Sequence, residues 1–493
     1  MPKYALARRV VRWVAGAVLV VLLLVVGGTF ARAWLLAPAA PIAAWHTEVP
    51  PELSPAAIDA GEWAGYLAAE DAAFGFVRDR VTRTLAPGER LPLNRYFSGS
   101  PIYPPHFARD WNRSFILDPT GPSLGVVVLL HGLTDSPYSL RHVALAYQAR
   151  GWTAVAIRMP GHGTVPAGLA NAKWPDWAAA TRLAMREGAR RAKGGPIEIV
   201  GYSNGGALAV QYALAAARDP ALPRPRRVIL MSPMIGLTEF ARFSGVAGWP
   251  AAVPAFAKAA WLDIVPEYNP FKYNSFPVNA ARESFRLTAA LQDAVAAADA
   301  DGSMQRLAPI LTFQSLVDST VSTPAVVSEL YDHLPSNGSE LVIFDINRSA
   351  DIAPMLRPVV ANRLATMLPA KARRYRVTIV TARSPTDADV IERTTAPGAV
   401  TAVDRRIGLA YPDRIYSISH IAMPFPPSDG LYGSAPDPAD NFGIALGALA
   451  ARGERGVLTL SLDTLLRLSA NPFYPYIAER VAPASTTAGA RLR

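Results

Sequence analysis

Pro196-Ile197-Glu198-Ile199-Val200-Gly201-Tyr202-Ser203-Asn204-Gly205-Gly206-Ala207-Leu208-Ala209-Val210 is the stretch whose reading decides the fold. An apolar run reads as a strand, and small, helix-compatible residues follow the glycines. The order is therefore strand, sharp turn, helix, with a serine at the apex. Such a turn strains the backbone at the serine, so the positions around it must lack side chains. The strain lifts Oγ above the sheet edge, within reach of a substrate carbonyl. A serine hydroxyl is a weak nucleophile until a neighbouring base takes its proton. The stretch therefore predicts partners further along, in the order serine, acid, histidine.

Two histidines follow Ser203, His333 and His420. His420 ends Arg414-Ile415-Tyr416-Ser417-Ile418-Ser419-His420, which reads as an alternating strand running into a turn, the place for a base. His333 lies near a predicted helix end and reads as a solvated side chain. For the acid, Pro309-Ile310-Leu311-Thr312-Phe313-Gln314-Ser315-Leu316-Val317 is an apolar strand that runs into Asp318 and a turn. Asp318 would hold the His420 imidazole in the required tautomer and stabilise the imidazolium. Asp345, after Leu341-Val342-Ile343-Phe344, is first reserve; it and Asp413 read more simply as loop aspartates.

Val126-Val127-Val128-Leu129-Leu130 reads as a strand buried on both faces of a parallel sheet. It leads into His131-Gly132-Leu133-Thr134-Asp135-Ser136-Pro137. In this architecture the oxyanion donors are a backbone N–H in that loop and the N–H following the nucleophile, here Leu133 and Asn204. Losing one such donor costs about 3–4 kcal/mol in the transition state. His131 and His162, the latter in Pro160-Gly161-His162-Gly163, read as residues that shape their glycine turns. His46, His106 and His142 carry no supporting pattern.

With these motifs in place, the chain resembles an α/β-hydrolase, most of all the lysophospholipase, monoacylglycerol lipase and serine aminopeptidase-like group. The resemblance rests on His131-Gly132-Leu133, Pro160-Gly161-His162-Gly163, Gly201-Tyr202-Ser203-Asn204-Gly205 and the Asp318 turn, and it covers roughly residues 112–430. It implies a Ser203–His420–Asp318 triad that hydrolyses an ester, thioester or amide. One departure stands out. In that group the histidine follows the next strand after the acid, whereas here about a hundred residues separate Asp318 from His420. They include a helix-like 355–368 and the strand Tyr375-Arg376-Val377-Thr378-Ile379-Val380. The reading is an inserted αβ extension that carries the base on an added strand.

Composition sets the outer bounds. Of 493 residues, 51% are hydrophobic and 18% charged, which supports a large core and excludes global disorder. Absence of cysteine excludes disulfides and thiolate metal sites. Lys3, Arg8, Arg9 and Arg12 precede an uncharged run over 13–31, close to the ~20 residues of a membrane span. The basic flank would stay cytoplasmic, placing the catalytic domain outside (periplasmic in a bacterium). The competing reading is a cleaved signal peptide ending near Ala31-Arg32-Ala33. Four of the charges behind the net +10 belong to that flank. The others are scattered without a recognition motif, so a nucleic-acid partner is not expected. No metal-ligand spacing and no phosphate-cradling glycine loop appears, so no cofactor or metal is expected.

The expected architecture is α/β, a mostly parallel sheet of the α/β-hydrolase type with a helical cap and the inserted extension, preceded by one transmembrane helix. The expected boundaries are a membrane anchor over 1–35, a tether and wrapping segment over 36–111, the hydrolase domain over 112–435 and a C-terminal packing segment over 436–493. Within the hydrolase domain the cap spans about 236–306 and the insertion about 340–412. The cap carries Phe240, Phe243, Trp249, Phe256, Trp261, Tyr268, Phe271, Tyr273 and Phe276, which read as the lining of an acyl pocket. The leading functional reading is a membrane-anchored serine hydrolase acting on a small lipophilic acyl ester. Peptide or amide cleavage is the alternative; it would call on cap carboxylates such as Glu239, Asp263 or Glu267 to hold a substrate amine. A non-catalytic binding protein on the same fold is the third reading.

Overall fold

In the computed structural model of the protein, the strand before Ser203 lies inside a ten-stranded sheet. The structure describes residues 42–236, 254–349, 356–412, 415–449 and 467–481, together with Leu465 and parts of 13–31. The strands are β1 (Phe115–Leu117), β2 (Val126–Leu130), β3 (Thr153–Ile157), β4 (Ile197–Tyr202), β5 (Arg227–Met231), β6 (Ile310–Ser315), β7 (Glu340–Phe344), β8 (Arg376–Ser384), β9 (Asp387–Thr395) and β10 (Ala402–Ala410). Their order across the sheet is β1-β3-β2-β4-β5-β6-β7-β8-β9-β10. From β3 to β8 every neighbouring pair is parallel, while β1, β9 and β10 run antiparallel at the two ends.

The apolar run of β2 is buried at all five positions, as a strand covered on both faces must be. Val126, Val128 and Leu130 join one apolar cluster, with Leu183 of α3 (Trp174–Ala192) and Leu208 of α4 (Asn204–Arg218). Val127 and Leu129 join another, with Val143 and Tyr147 of α2 (Arg141–Gln148). Period-two alternation thus splits one strand between two cores.

Two charge networks fasten the flanking segments to this sheet. Arg158, at the end of β3 and 1% exposed, pairs with Glu52 at 2.7 Å and with Glu70 of α1 (Trp63–Arg80) at 3.2 Å. At the other end of the chain, buried Asp429 accepts from Tyr138, Arg141 and His142 and from the N–H groups of Leu431 and Tyr432. Removing one partner of such a pair would strand an uncompensated buried charge. His142, Asp429 and Asp440 also bring their ligand atoms within 4.8 Å of one another, a grouping no sequence spacing reveals. The Arg141 guanidinium binds both of these aspartates and supplies their counter-charge.

The extension differs from the expected αβ unit. Among the described residues, two short helical turns, Pro358–Ala361 and Arg363–Met367, lie where a helix over 355–368 was expected. After β8 the chain adds a two-strand antiparallel meander, β9 and β10, whose outer strand is largely exposed. His420 is not on a strand. Asn347, in the loop after β7, donates its backbone N–H to the Tyr416 carbonyl at 2.7 Å and its side chain to the Ile415 carbonyl at 3.2 Å. These loop bonds take up the backbone that a sheet ladder would need, so 415–420 is a loop.

Of the expected cap, residues 237–253 lie outside the described residues, with Glu239, Phe240, Phe243 and Trp249; its described part is a short ribbon and the long α5 (Val278–Ala300). Asp413 also lies outside them. The span expected over 13–31 falls partly outside, and among the described residues no helix is long and apolar enough to cross a membrane.

Candidate active site

Ser203 sits at φ 53°, ψ −116°, between β4 and α4. That positive φ is costly for a residue with a side chain and is held by its surroundings. The Ser203 N–H donates to the Met231 carbonyl at 3.0 Å, and its carbonyl accepts from Gly206 and Met234. The glycines are required by space. A Cβ on Gly201 would lie 2.3 Å from the Gly205 carbonyl oxygen, and one on Gly205 only 2.0 Å from that of Leu130. The elbow therefore forms only where β2, β4 and α4 can touch backbone to backbone.

The structure brings His420 and Asp318 together. His420 Nδ1 lies 2.8 Å from Asp318 Oδ2, and both residues are buried. Asp318 also accepts from the Gln314 side chain and from the N–H groups of Thr320 and Val321. Burial raises its pKa, but the His420 imidazole and these N–H groups outweigh it, so the carboxyl sits below its usual range. Nδ1 thus faces a carboxylate, which leaves Nε2 as the nitrogen able to take a proton. Because His420 rides on a loop, its position needs other support. Tyr202, next to the serine, donates its O–H to the His420 carbonyl at 3.2 Å and packs its ring 5.4 Å from the imidazole. Asn471 donates to the carbonyls of Met423 and Phe425 just beyond.

Leu133 lies on the loop that passes over the elbow. A Cβ on Gly132 would come 3.2 Å from the Ser203 Cβ. Asn204 is the first residue of α4, so its N–H has no intrahelical acceptor. The loop carries a positive φ at Thr134 and is tied to the cap side by the Tyr273 N–H, which donates to the Thr134 carbonyl at 2.8 Å. His131 donates from Nδ1 to the Gly132 carbonyl and accepts the Met159 N–H at Nε2. Burial lowers its pKa to about 3, which keeps it neutral and tied into the turn. His162 packs on Trp177 and His131, and His333 pairs with Asp299 at the surface. Asp345 is bound by Arg348 and Thr381.

A cavity of about 360 Å³ opens over Ser203 and His420. Its wall includes Leu133, Met234, Phe276, Thr320 and Val321, and also Lys272 and Arg467, which carry no sequence motif. Of the described cap aromatics, Phe276 lines this cavity, whereas Tyr268 and Phe271 are buried in a cluster with Tyr138 and Phe425. Asp135 lies buried beneath; desolvation pushes its carboxyl up to about 6 against the opposing pull of Lys272.

Residues 121–347 match the family described as serine aminopeptidase, S33. A thermostable monoacylglycerol lipase of Bacillus sp. (strain H-257) is 33% identical over 87 residues, 18% of this chain and 34% of that protein. Over residues 121–347 the chain is similar to this α/β-hydrolase family. The match to the Bacillus protein spans about a third of that protein's length. Among solved structures, one from work on two metagenome-derived lipolytic enzymes, LipS and LipT, is 24% identical, with 48% of this chain and 88% of that chain covered, at a TM-score of 0.38. A soluble variant of monoglyceride lipase from Saccharomyces cerevisiae is 15% identical, with 47% and 81% covered, at a TM-score of 0.37.

Proposed function

We propose that this hydrolase cleaves a lipophilic carboxylic ester through an acyl-enzyme formed on Ser203. The observation that carries the reading is the junction of three parts at one cavity: a serine at φ 53° on a strand–helix elbow, an imidazole in the same wall, and a carboxylate 2.8 Å behind that imidazole. In this reading Ser203 Oγ attacks the ester carbon as His420 takes its proton. The N–H groups of Leu133 and Asn204 hold the oxyanion. The proton passes to the leaving alkoxide, and water repeats the sequence to release the acid. The apolar wall of Leu133, Met234, Phe276 and Val321 suits an acyl chain.

The same proposal anchors the chain in a membrane through 13–31, with the catalytic domain outside the cytoplasmic leaflet. The described residues of that stretch are helical and leave Trp13 80% and Leu24 70% exposed, apolar surface that the other described residues do not cover.

The test is covalent labelling with a neutral fluorophosphonate, followed by mapping of the modified residue. Label on Ser203, lost in Ser203→Ala and slowed in His420→Ala, is expected. Turnover of a short-chain p-nitrophenyl ester should drop by at least about 10³-fold in either variant. Full esterase activity in Ser203→Ala would sink the reading.

A further inference from the structure

The charges around the cavity are one-sided. The wall over Ser203 contains two cations, Lys272 and Arg467, and no carboxylate among the described residues. An adjoining cavity of about 540 Å³ shares His420 and Arg467 with it and adds Arg357 and Arg363. The single carboxylate in that second wall is Asp318, already engaged by His420. Among the described residues neither Lys272, Arg357 nor Arg363 makes an ion pair; the Arg467 guanidinium donates to the Thr320 hydroxyl at 3.1 Å, and the Arg467 carbonyl accepts from the Ser419 hydroxyl at 2.8 Å.

Lys272 is the decisive one. It is partly exposed, to the cavity it lines, and its ammonium donates no hydrogen bond among the described residues. Burial lowers its pKa, and Asp135 beneath the oxyanion loop is the negative charge that opposes the shift. Its backbone is fixed on both sides: Asn269 Oδ1 accepts the Lys272 N–H, and the next residue donates to the Thr134 carbonyl. A cation held beside a nucleophile without a hydrogen-bonded partner is a place for an anion. Of the carboxylates that an aminopeptidase site would call on, the two among the described residues are elsewhere. Glu267 is buried and accepts the N–H groups of Asn274 and Ser275, and Asp263 is exposed on the ribbon.

We infer that the ester this site takes is anionic: a single-chain acyl ester whose alcohol part carries a phosphate or carboxylate, bound by Lys272 with Arg467 at the shared edge of the two cavities. This rests on the serine-hydrolase reading above for its turnover, but not for its binding.

The experiment compares three esters of equal acyl length below their micellar concentrations: a neutral 1-acylglycerol, its 3-phosphate, and the acyl ester of glyceric acid. The wild type should turn over both anionic esters with kcat/KM about tenfold or more above the neutral one. Phosphate alone being favoured would assign the headgroup as phosphate, and equal preference would assign the charge itself. Lys272→Gln should lose about 10- to 100-fold on the anionic esters and less than about threefold on the neutral one, with Lys272→Arg recovering part of the loss. A neutral ester preferred by the wild type, or an equal loss on all three, overturns the inference. Binding is read separately in Ser203→Ala with dodecyl phosphate and dodecanol. Tighter binding of the phosphate, weakened by Lys272→Gln, supports the anion site even where no ester is cleaved; equal affinity overturns it. Failure of the serine reading shows instead as absent fluorophosphonate labelling.

Discussion

Asp135 shows how a single residue under the site stores a pH dependence. Desolvation raises its carboxyl to about 6, with Lys272, the Ser136 N–H and His420 pulling the other way. The folded pKa lies above the ordinary value of 3.8, so the native state binds the extra proton. Stability from this group is therefore complete below about pH 4 and is lost as pH rises toward and through 6. A displacement of that size is worth up to about 3 kcal/mol. Asp135→Asn does not titrate, so its advantage over the wild type should grow between pH 4 and pH 7. Calorimetric midpoints of both proteins at the two pH values measure it. A gap that stays constant would mean that Lys272 keeps Asp135 ionised throughout and that burial does not raise its carboxyl.

At the scale of elements, the strand–elbow–helix was legible because its requirements are local. Gly201, Gly205 and Gly206 are written beside Ser203, and the close approaches that demand the first two are visible in the fold. The β6 strand and the Asp318 turn were legible for the same reason. The His420 element was not. Its apolar residues suggested a strand, but loop residue Asn347, far away in sequence, captured its backbone carbonyls. Lys272 and Arg467 were equally invisible, since only the tertiary fold brings them to the cavity. A loop-borne base depends on contacts that a strand would make unnecessary, and Tyr202 provides one through its O–H and its ring. Tyr202→Phe keeps the ring and deletes the hydroxyl. One neutral hydrogen bond is worth about 1 kcal/mol, so kcat should fall about fivefold with KM nearly unchanged. An unchanged kcat would assign the positioning to the ring and to Asn471 instead.

For the whole molecule, the arrangement joins a basic, apolar leader to a domain whose cavity is lined by cations and apolar side chains. Lys3, Arg8, Arg9 and Arg12 would be drawn to anionic headgroups on one side of a bilayer, and the uncharged 13–31 is long enough to enter it. A stretch of sequence rich in alanine and proline precedes Ala44, where the described body of the chain begins to pack. Anchoring would hold the cavity near the interface at which single-chain amphiphiles collect, raising their local concentration without any change in the site itself. The full chain expressed in a bacterium should therefore sediment with membranes and resist alkaline carbonate, whereas a chain starting at residue 42 should stay in the supernatant. Both should take the fluorophosphonate label at the same rate. The short form should fall behind only on esters presented in vesicles, and not on monomeric ones. Protein expressed from the whole sequence but recovered in the soluble fraction with a new N-terminus near residue 34 would replace the anchor with a cleaved leader; recovery there with its N-terminus intact would remove the membrane role altogether.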